Sequence, residues 1–334
     1  MKLLDILQNF AFGVEFELCV HVRDKNFSTS DEVHKYLVKY FNNKPVCKQI
    51  GVKWSHYYVE DDPKLDYRNW TIMADMSVGC PDAEEANDAE LKGKYCVIKG
   101  RYTDCPPIQF FQEEIITEVL YMKDFSGLRK LKAVWFNCIM SDNLTYLINS
   151  TQGFHIHLSN PNLDLYKFLK LWYVYEPVIK NILPPERRVA LVEFAKDVRL
   201  MCSLGQLKDR QLPKLSNPKY YAVNTSHFKP DSCRLEIRVY PGTADFTEIL
   251  NWILFCLLFA SSSILLDDRV IDKLAEEIVY DTFETKKRSI LSLFQNCIHD
   301  SAVSNYFIAK YNKNKEFGWP EINRIANNRI VPVI

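Results

Sequence analysis

Four short stretches place chemically capable side chains two residues apart, the spacing that puts them on one face of a β-strand. They are Glu15 and Glu17 in GVEFE, Asp75 and Ser77 in WTIMADMS, His155 and His157 in GFHIHLS, and Arg234, Glu236 and Arg238 in CRLEIRV. Apolar residues such as Phe16, Ile156 and Ile237 alternate with them and point the other way. Carboxylates two apart on one strand repel each other, and a divalent cation removes that cost. Oxygen ligands joined by one or two imidazoles suit magnesium or manganese better than a structural zinc site, which prefers cysteine and histidine. A guanidinium on the same face would bind phosphate in a bidentate fork.

Taken singly, each stretch has a plainer reading. Glu15/Glu17 or Arg234/Glu236/Arg238 alone is a solvated strand face with cross-strand ion pairs. Asp75 alone is a strand-end or turn residue. His155/His157 alone fits a metal site, a proton-handling site or a satisfied polar face equally well. The functional reading rests on the four coinciding on one sheet, whose other face must then be covered by helices.

The elements that would position them follow from periodicity. Strands are expected at Phe12–Val20, Trp70–Val78, Gly153–Ser159 and Cys233–Tyr240. Helices are expected at Ser30–Phe41, Glu113–Met122, Asn162–Leu183 (ended by Pro184-Pro185), Arg187–Leu204, Phe246–Leu266, and onward to about Ile308. Residues 79–107 mix acids, glycine and proline and read as a surface insertion. Alternating strands favour an antiparallel sheet with one polar face over a parallel doubly wound sheet.

Bulk properties narrow the class. The chain has 334 residues, 47% apolar and 25% charged, enough for a large soluble core. Lysine plus arginine equal aspartate plus glutamate at 42 each, so no global charge argues for nucleic acid or an anionic membrane. Ten cysteines lie scattered without a CxxC pair, and the N-terminus lacks a secretory pattern. Free thiols in a reducing cytoplasmic compartment are therefore expected. Residues 249–266 carry no charge, the lower edge of a membrane span, but Asn251, three serines and flanking acids favour a buried helix. No G-x-x-x-x-G-K-[ST] or G-x-G-x-x-G loop is present, so any nucleotide would be held through metals and side chains.

The order GVEFE, WTIMADMSV, GFHIH, YAVN and CRLEIRVYPGT, followed by a tryptophan-containing apolar helix, resembles the amidoligase family across residues 12 to 266. That family belongs with glutamine synthetase and glutamate–cysteine ligase among the carboxylate–amine ligases. The resemblance implies an α+β fold: a curved antiparallel sheet with a polar concave active-site face and helices on the other. It implies an enzyme that uses ATP and Mg2+ (or Mn2+) to phosphorylate a carboxylate and then joins the acyl phosphate to an amine. It implies a catalytic domain over 1–266 with a helical extension over 267–334 packed on it. Glu15, Glu17, His155 and Glu236 would be metal ligands. Arg238 would bind phosphate, with Asp75 and His157 beside it in the catalytic set, and Arg234 and Asn224 would contact the nucleotide. Tyr220, Tyr221, Arg187 and Arg188 would border the pocket. One departure stands out: relatives carry a glutamate on a strand after the Asp-Ser motif, and YCVIKGRYTDCPPIQF lacks it.

Substrates are expected to be small-molecule or peptide carboxylates and amines, without nucleic acid or membrane, a protein partner being left open. Two alternatives compete. One is a metal-dependent hydrolase or oxygenase using the HxH strand, for which His227 is the nearest candidate third histidine. The other is a non-catalytic relative acting as a protein-binding module, motivated by the missing glutamate.

Overall fold

The computed structural model describes residues 2–23, 25–56, 67–75, 77–80, 96–97, 110–148, 151–183, 187, 195–214, 217–278 and 283–313. Its strands are β1 (Ala11–Val22), β2 (Trp54–His56), β3 (Trp70–Ala74), β4 (Cys96–Val97), β5 (Phe111–Ile116), β6 (Leu120–Tyr121), β7 (Leu144–Ile148), β8 (Gly153–Ser159), β9 (Val223–Asn224) and β10 (Arg234–Pro241). They form one mixed sheet in the order β2-β3-β5-β1-β8-β10-β9, antiparallel except for the β2–β3 pair. The expected α+β fold with a mostly antiparallel sheet is what forms.

Strand β1 is the spine. Its first half pairs with β8, from Ala11 opposite Ser159 to Phe16 opposite Phe154, and its last residues pair with β7. On its other side it meets β5, with Glu17 opposite Glu114, and β6. Because side chains alternate, these registers put Gly13, Glu15, Glu17, Glu114, His155 and His157 on one face. Phe16, Phe154 and Ile156 go to the other face, where Phe16 packs against Trp135 and Phe154 with ring centroids 5.0 Å away in each case.

The helices are α1 (Leu3–Gln8), α2 (Ser30–Asn42), α3 (Pro45–Ile50), α4 (Ser126–Val134), α5 (Leu165–Ile182), α6 (Val198–Met201), α7 (Leu204–Lys208), α8 (Phe246–Leu265), α9 (Asp268–Glu277), α10 (Phe283–Leu293) and α11 (Ser301–Lys313). Side-chain caps start them where the sequence has Thr, Asp or Ser: Asp164 accepts the Tyr166 and Lys167 amides ahead of α5, and Asp245 accepts that of Thr247 ahead of α8. One apolar cluster runs from Ile6 to Tyr311 and includes residues of α9, α10 and α11. Helix α8, long and apolar enough to cross a membrane, lies inside the protein, with 72% of its apolar window buried. Its serines find acceptors there: Ser262 bonds the Cys297 carbonyl at 2.8 Å, and Ser261 and Ser263 bond carbonyls of their own helix.

Several expectations need correction. The segment 113–122 is not a helix: 111–116 is strand β5, and Leu120–Tyr121 is β6. Ile115, Ile116, Val119 and Leu120 imitate a helical stripe, but hydrogen bonding to β1 and β3 decides the outcome. No continuous helix spans the described part of 187–204, where Lys196 bridges Tyr221 and only the short α6 and the first residue of α7 are helical. Cys19 and Cys80 form a disulfide, so the thiols are not all free. Arg188, Pro184-Pro185, the residues beyond 313 and most of the 79–107 insertion lie outside the described residues.

Candidate metal and ligand site

The polar face draws on five strands, with paired positions on β1, β8 and β10 and one each on β5 and β9. Glu15 sits at its centre, 8% exposed. Its two carboxylate oxygens face two imidazoles: Oε1 lies 2.6 Å from His157 Nε2, and Oε2 lies 3.2 Å from His155 Nδ1. The other nitrogen of His155 is 3.3 Å from Glu17, and its Nδ1 is 3.6 Å from Glu236. Glu236 is held from both sides, by an ion pair with Arg238 and by the amide of Asn224, whose Nδ2 donates at 2.6 Å. Asn224 is itself oriented, since its side-chain oxygen accepts from the amide and hydroxyl of Ser226.

Two local backbone features make this possible. A β-bulge in β10 between Ile237 and Tyr240 sets two residues opposite one on β8, just after Glu236, whose carboxylate pairs with Arg238. Gly153 lets the start of β8 approach the acids. Its amide donates to Glu17, and a Cβ there would stand 2.5 Å from His155 Nε2.

Five of the nine expected residues, Glu15, Glu17, His155, His157 and Glu236, converge with Arg238 as their cationic partner. Asn224 is brought in through Glu236. Asp75 stands at the edge: its carboxylate bonds the Ser77 amide and hydroxyl at 2.8 and 2.7 Å, the turn role anticipated for it alone. Arg234 stacks on Tyr67, with its guanidinium carbon 4.7 Å from the ring centre, and donates to the phenol oxygen at 3.2 Å. Tyr220 and Tyr221 belong to the turn entering β9, at the sheet edge. Arg187 bonds the Gln152 carbonyl just before β8. His227 lies close enough to Arg234, Glu236 and His157 for their charges to act on it, but belongs to neither metal-competent group.

Glu114 is the residue the sequence reading missed. Its register opposite Glu17 sets it on the polar face, on a strand that follows the Asp75/Ser77 stretch in the chain. The stretch FQEEII shows no apolar–polar alternation, so its face follows only from its register with β1.

The electrostatics divide the carboxylates of this cluster into two kinds. Burial opposes ionisation of Glu15, but His157 and His155 outweigh it and hold the carboxyl well below the ordinary range. Glu236 is lowered too, against its burial, by His157 and Arg238. Burial opposes protonation of His157, and Glu15 and Glu236 prevail and raise it. Glu114 goes the other way: burial, then the charges of Glu15, Asp75 and Glu17, push it well above its ordinary value.

Two groups have ligand atoms within 4.8 Å of one another: Glu15, His157 and Glu236, and Glu15, Glu114 and His155. Glu15 belongs to both. His157 Nδ1 is buried without a hydrogen-bond partner among the described residues. Carboxylate-rich sets with one imidazole each fit a hard divalent cation.

Beside His157 the same face opens into a pocket of about 390 Å³, counting its mouth, bordered by Ala11, Gly13, Tyr67, Ile116, Val119 and Arg234 among others.

Fold and site together define an α+β protein whose sheet gathers buried carboxylates and imidazoles into a cluster suited to divalent cations. The chain belongs to the amidoligase family: residues 8–260 match the family model described as "Putative amidoligase enzyme". Among curated proteins, none matches the chain.

Proposed function

We propose that the chain is an ATP- and magnesium-dependent ligase that joins a carboxylate to an amine through an acyl phosphate. The observation that carries this reading is Glu15 shared between two carboxylate–imidazole groups on one sheet face, in a member of the amidoligase family. Glu15, His157 and Glu236 would hold one magnesium ion and Glu15, Glu114 and His155 another, with Glu17 beside them. Bound there, magnesium would neutralise phosphate charge, which supplies several kcal/mol of transition-state stabilisation.

The chain's own residues do the rest. Arg238, ion-paired with Glu236 on the polar face, would bind a phosphoryl oxygen. Asn224 keeps the Glu236 carboxylate in one orientation. The buried floor excludes water, so a carboxylate and an amine held there react at an effective concentration worth roughly 7–11 kcal/mol. The γ-phosphoryl group passes to a carboxylate oxygen as ADP leaves. The amine nitrogen then bonds to the carbonyl carbon, phosphate departs, and the amine loses a proton. Glu114, on the polar face opposite Glu17, supplies a further carboxylate to this set.

The test is ADP release from ATP with paired panels of carboxylic acids and amines. ADP should form only when an acid, an amine and magnesium are present together. Glu236→Ala and Glu15→Ala should abolish it with the fold intact. Full activity in both variants would overturn the site.

A further inference from the structure

On the polar face β1 reads Ala11, Gly13, Glu15, Glu17, so its first half is bare of side chain where its second half is acidic. Strand β5 ends beside it at Ile116. The result is the pocket next to His157, with Ala11, Gly13 and Ile116 as floor and Tyr67 and Val119 as wall. Arg234 stands at its border. The guanidinium uses one nitrogen on the Tyr67 phenol, and its Nε is buried without a partner among the described residues. The acid at the rim, Glu118, is already matched by Lys130 at 2.5 Å. An apolar hollow, a guanidinium with donors to spare and a metal-competent group thus meet along one side of His157.

We propose that this pocket selects the acid substrate: an apolar monocarboxylate, branched aliphatic or aromatic, whose body lies over Ala11, Gly13 and Ile116 and whose carboxylate pairs with Arg234. The proposal rests on the ligase reading and names its acyl substrate. A second carboxylate on the acid would lie against the apolar Ile116 and Val119 and near Glu118, which lines the same pocket, so its desolvation and charge are costly there. The proposal also divides the two arginines. Arg234, aligned with the hollow, takes the acid, and Arg238, anchored on Glu236, is left for phosphate.

Gly13 provides a clean probe. A Cβ there would meet only Thr117 Oγ1 at 3.5 Å and His157 Cβ at 3.9 Å, ordinary contacts, so a side chain grows into the pocket and not into protein. Isovalerate, phenylacetate and glutamate would be titrated into the full chain with magnesium by calorimetry, alongside magnesium–ATP as a separate titration. Wild type should bind isovalerate or phenylacetate at least tenfold tighter than glutamate. Gly13→Val and Arg234→Gln should each weaken the apolar acids at least tenfold while keeping magnesium–ATP binding. Should Gly13→Val fail to fold, Val119→Glu, at a site 41% exposed, puts a charge in the same wall and should have the same effect.

Glutamate binding as tightly as the apolar acids would overturn the proposal, as would wild-type affinity for them in both pocket variants. Loss of magnesium–ATP binding in Arg234→Gln, with acid binding kept, would return that arginine to the nucleotide. Absence of magnesium–ATP binding in wild type would count against the ligase reading, while the acid titrations would still decide the pocket.

Discussion

Glu114 gives the sharpest prediction because its proton and a cation compete for the same place. Ligand atoms of Glu15, Glu114 and His155 lie within 4.8 Å of one another. Two carboxylate charges at that distance repel by about 3.5 kcal/mol at an effective dielectric constant near 20. Burial, then the charges of Glu15, Asp75 and Glu17, raise the Glu114 carboxyl well above its ordinary value, so a proton there relieves that repulsion. The sign follows from linkage. With its folded pKa raised, Glu114 binds more protons folded than unfolded above pH 4.5, so the metal-free protein loses stability as pH rises through that window. Glu114→Gln keeps shape and hydrogen bonding without the titration. For 334 residues, unfolding entropy near 0.7 kcal/mol/K turns 3.5 kcal/mol into about 5 °C. In EDTA, Glu114→Gln should therefore melt up to about 5 °C above wild type at pH 7 and by a smaller margin at pH 5. Added magnesium should stabilise wild type more than the variant, and the magnesium affinity of wild type should rise with pH. A variant less stable than wild type at pH 7, or a gap equal at both pH values, refutes the reasoning.

Other expectations follow from features around the site. Cys19 and Cys80 are 61 residues apart, so replacing both by serine removes a constraint worth about 4 kcal/mol on chain entropy and should lower Tm by about 6 °C. Intact mass under non-reducing conditions should show two hydrogens fewer than the reduced wild-type chain. On the helix-covered face, Glu113 is fully buried against His34, and burial lifts its carboxyl to about 7 despite that partner. His34→Leu should cost about 3–5 kcal/mol in urea denaturation, and His34→Leu with Glu113→Leu should recover most of it. Asn224→Ala leaves the Glu236 carboxylate unheld and should weaken magnesium binding about tenfold with little change in the metal-free melting temperature.

What could be read from the sequence was what local pattern determines. Gly153–Ser159 forms the expected strand to the residue, and Phe246–Leu265 the expected helix within one. Glu15, Glu17, His155, His157 and Glu236 were legible because alternation alone assigns a face once strands share a sheet. Three things depended on pairing partners far along the chain. Glu114 was hidden because EEIITEVL has a helical stripe, and its place opposite Glu17 is a property of register. The bulge in β10 that sets two residues opposite one of β8 is a one-residue slip that no composition signals. Cys19 and Cys80 have no spacing motif, and the sheet brings them together. The hollow over Ala11 and Gly13 is likewise visible only when β5 is seen to end beside it.

The central claim is that this face binds a nucleotide through magnesium, and thermal unfolding of wild type and Glu236→Ala, with and without magnesium–ATP, tests it most directly. At one hundred times its dissociation constant the ligand should add about 2.7 kcal/mol, or about 4 °C for a chain of 334 residues. The account predicts that rise in wild type, its loss in EDTA and its loss in Glu236→Ala. No rise in well-folded wild type, or the same rise in the variant, would contradict it.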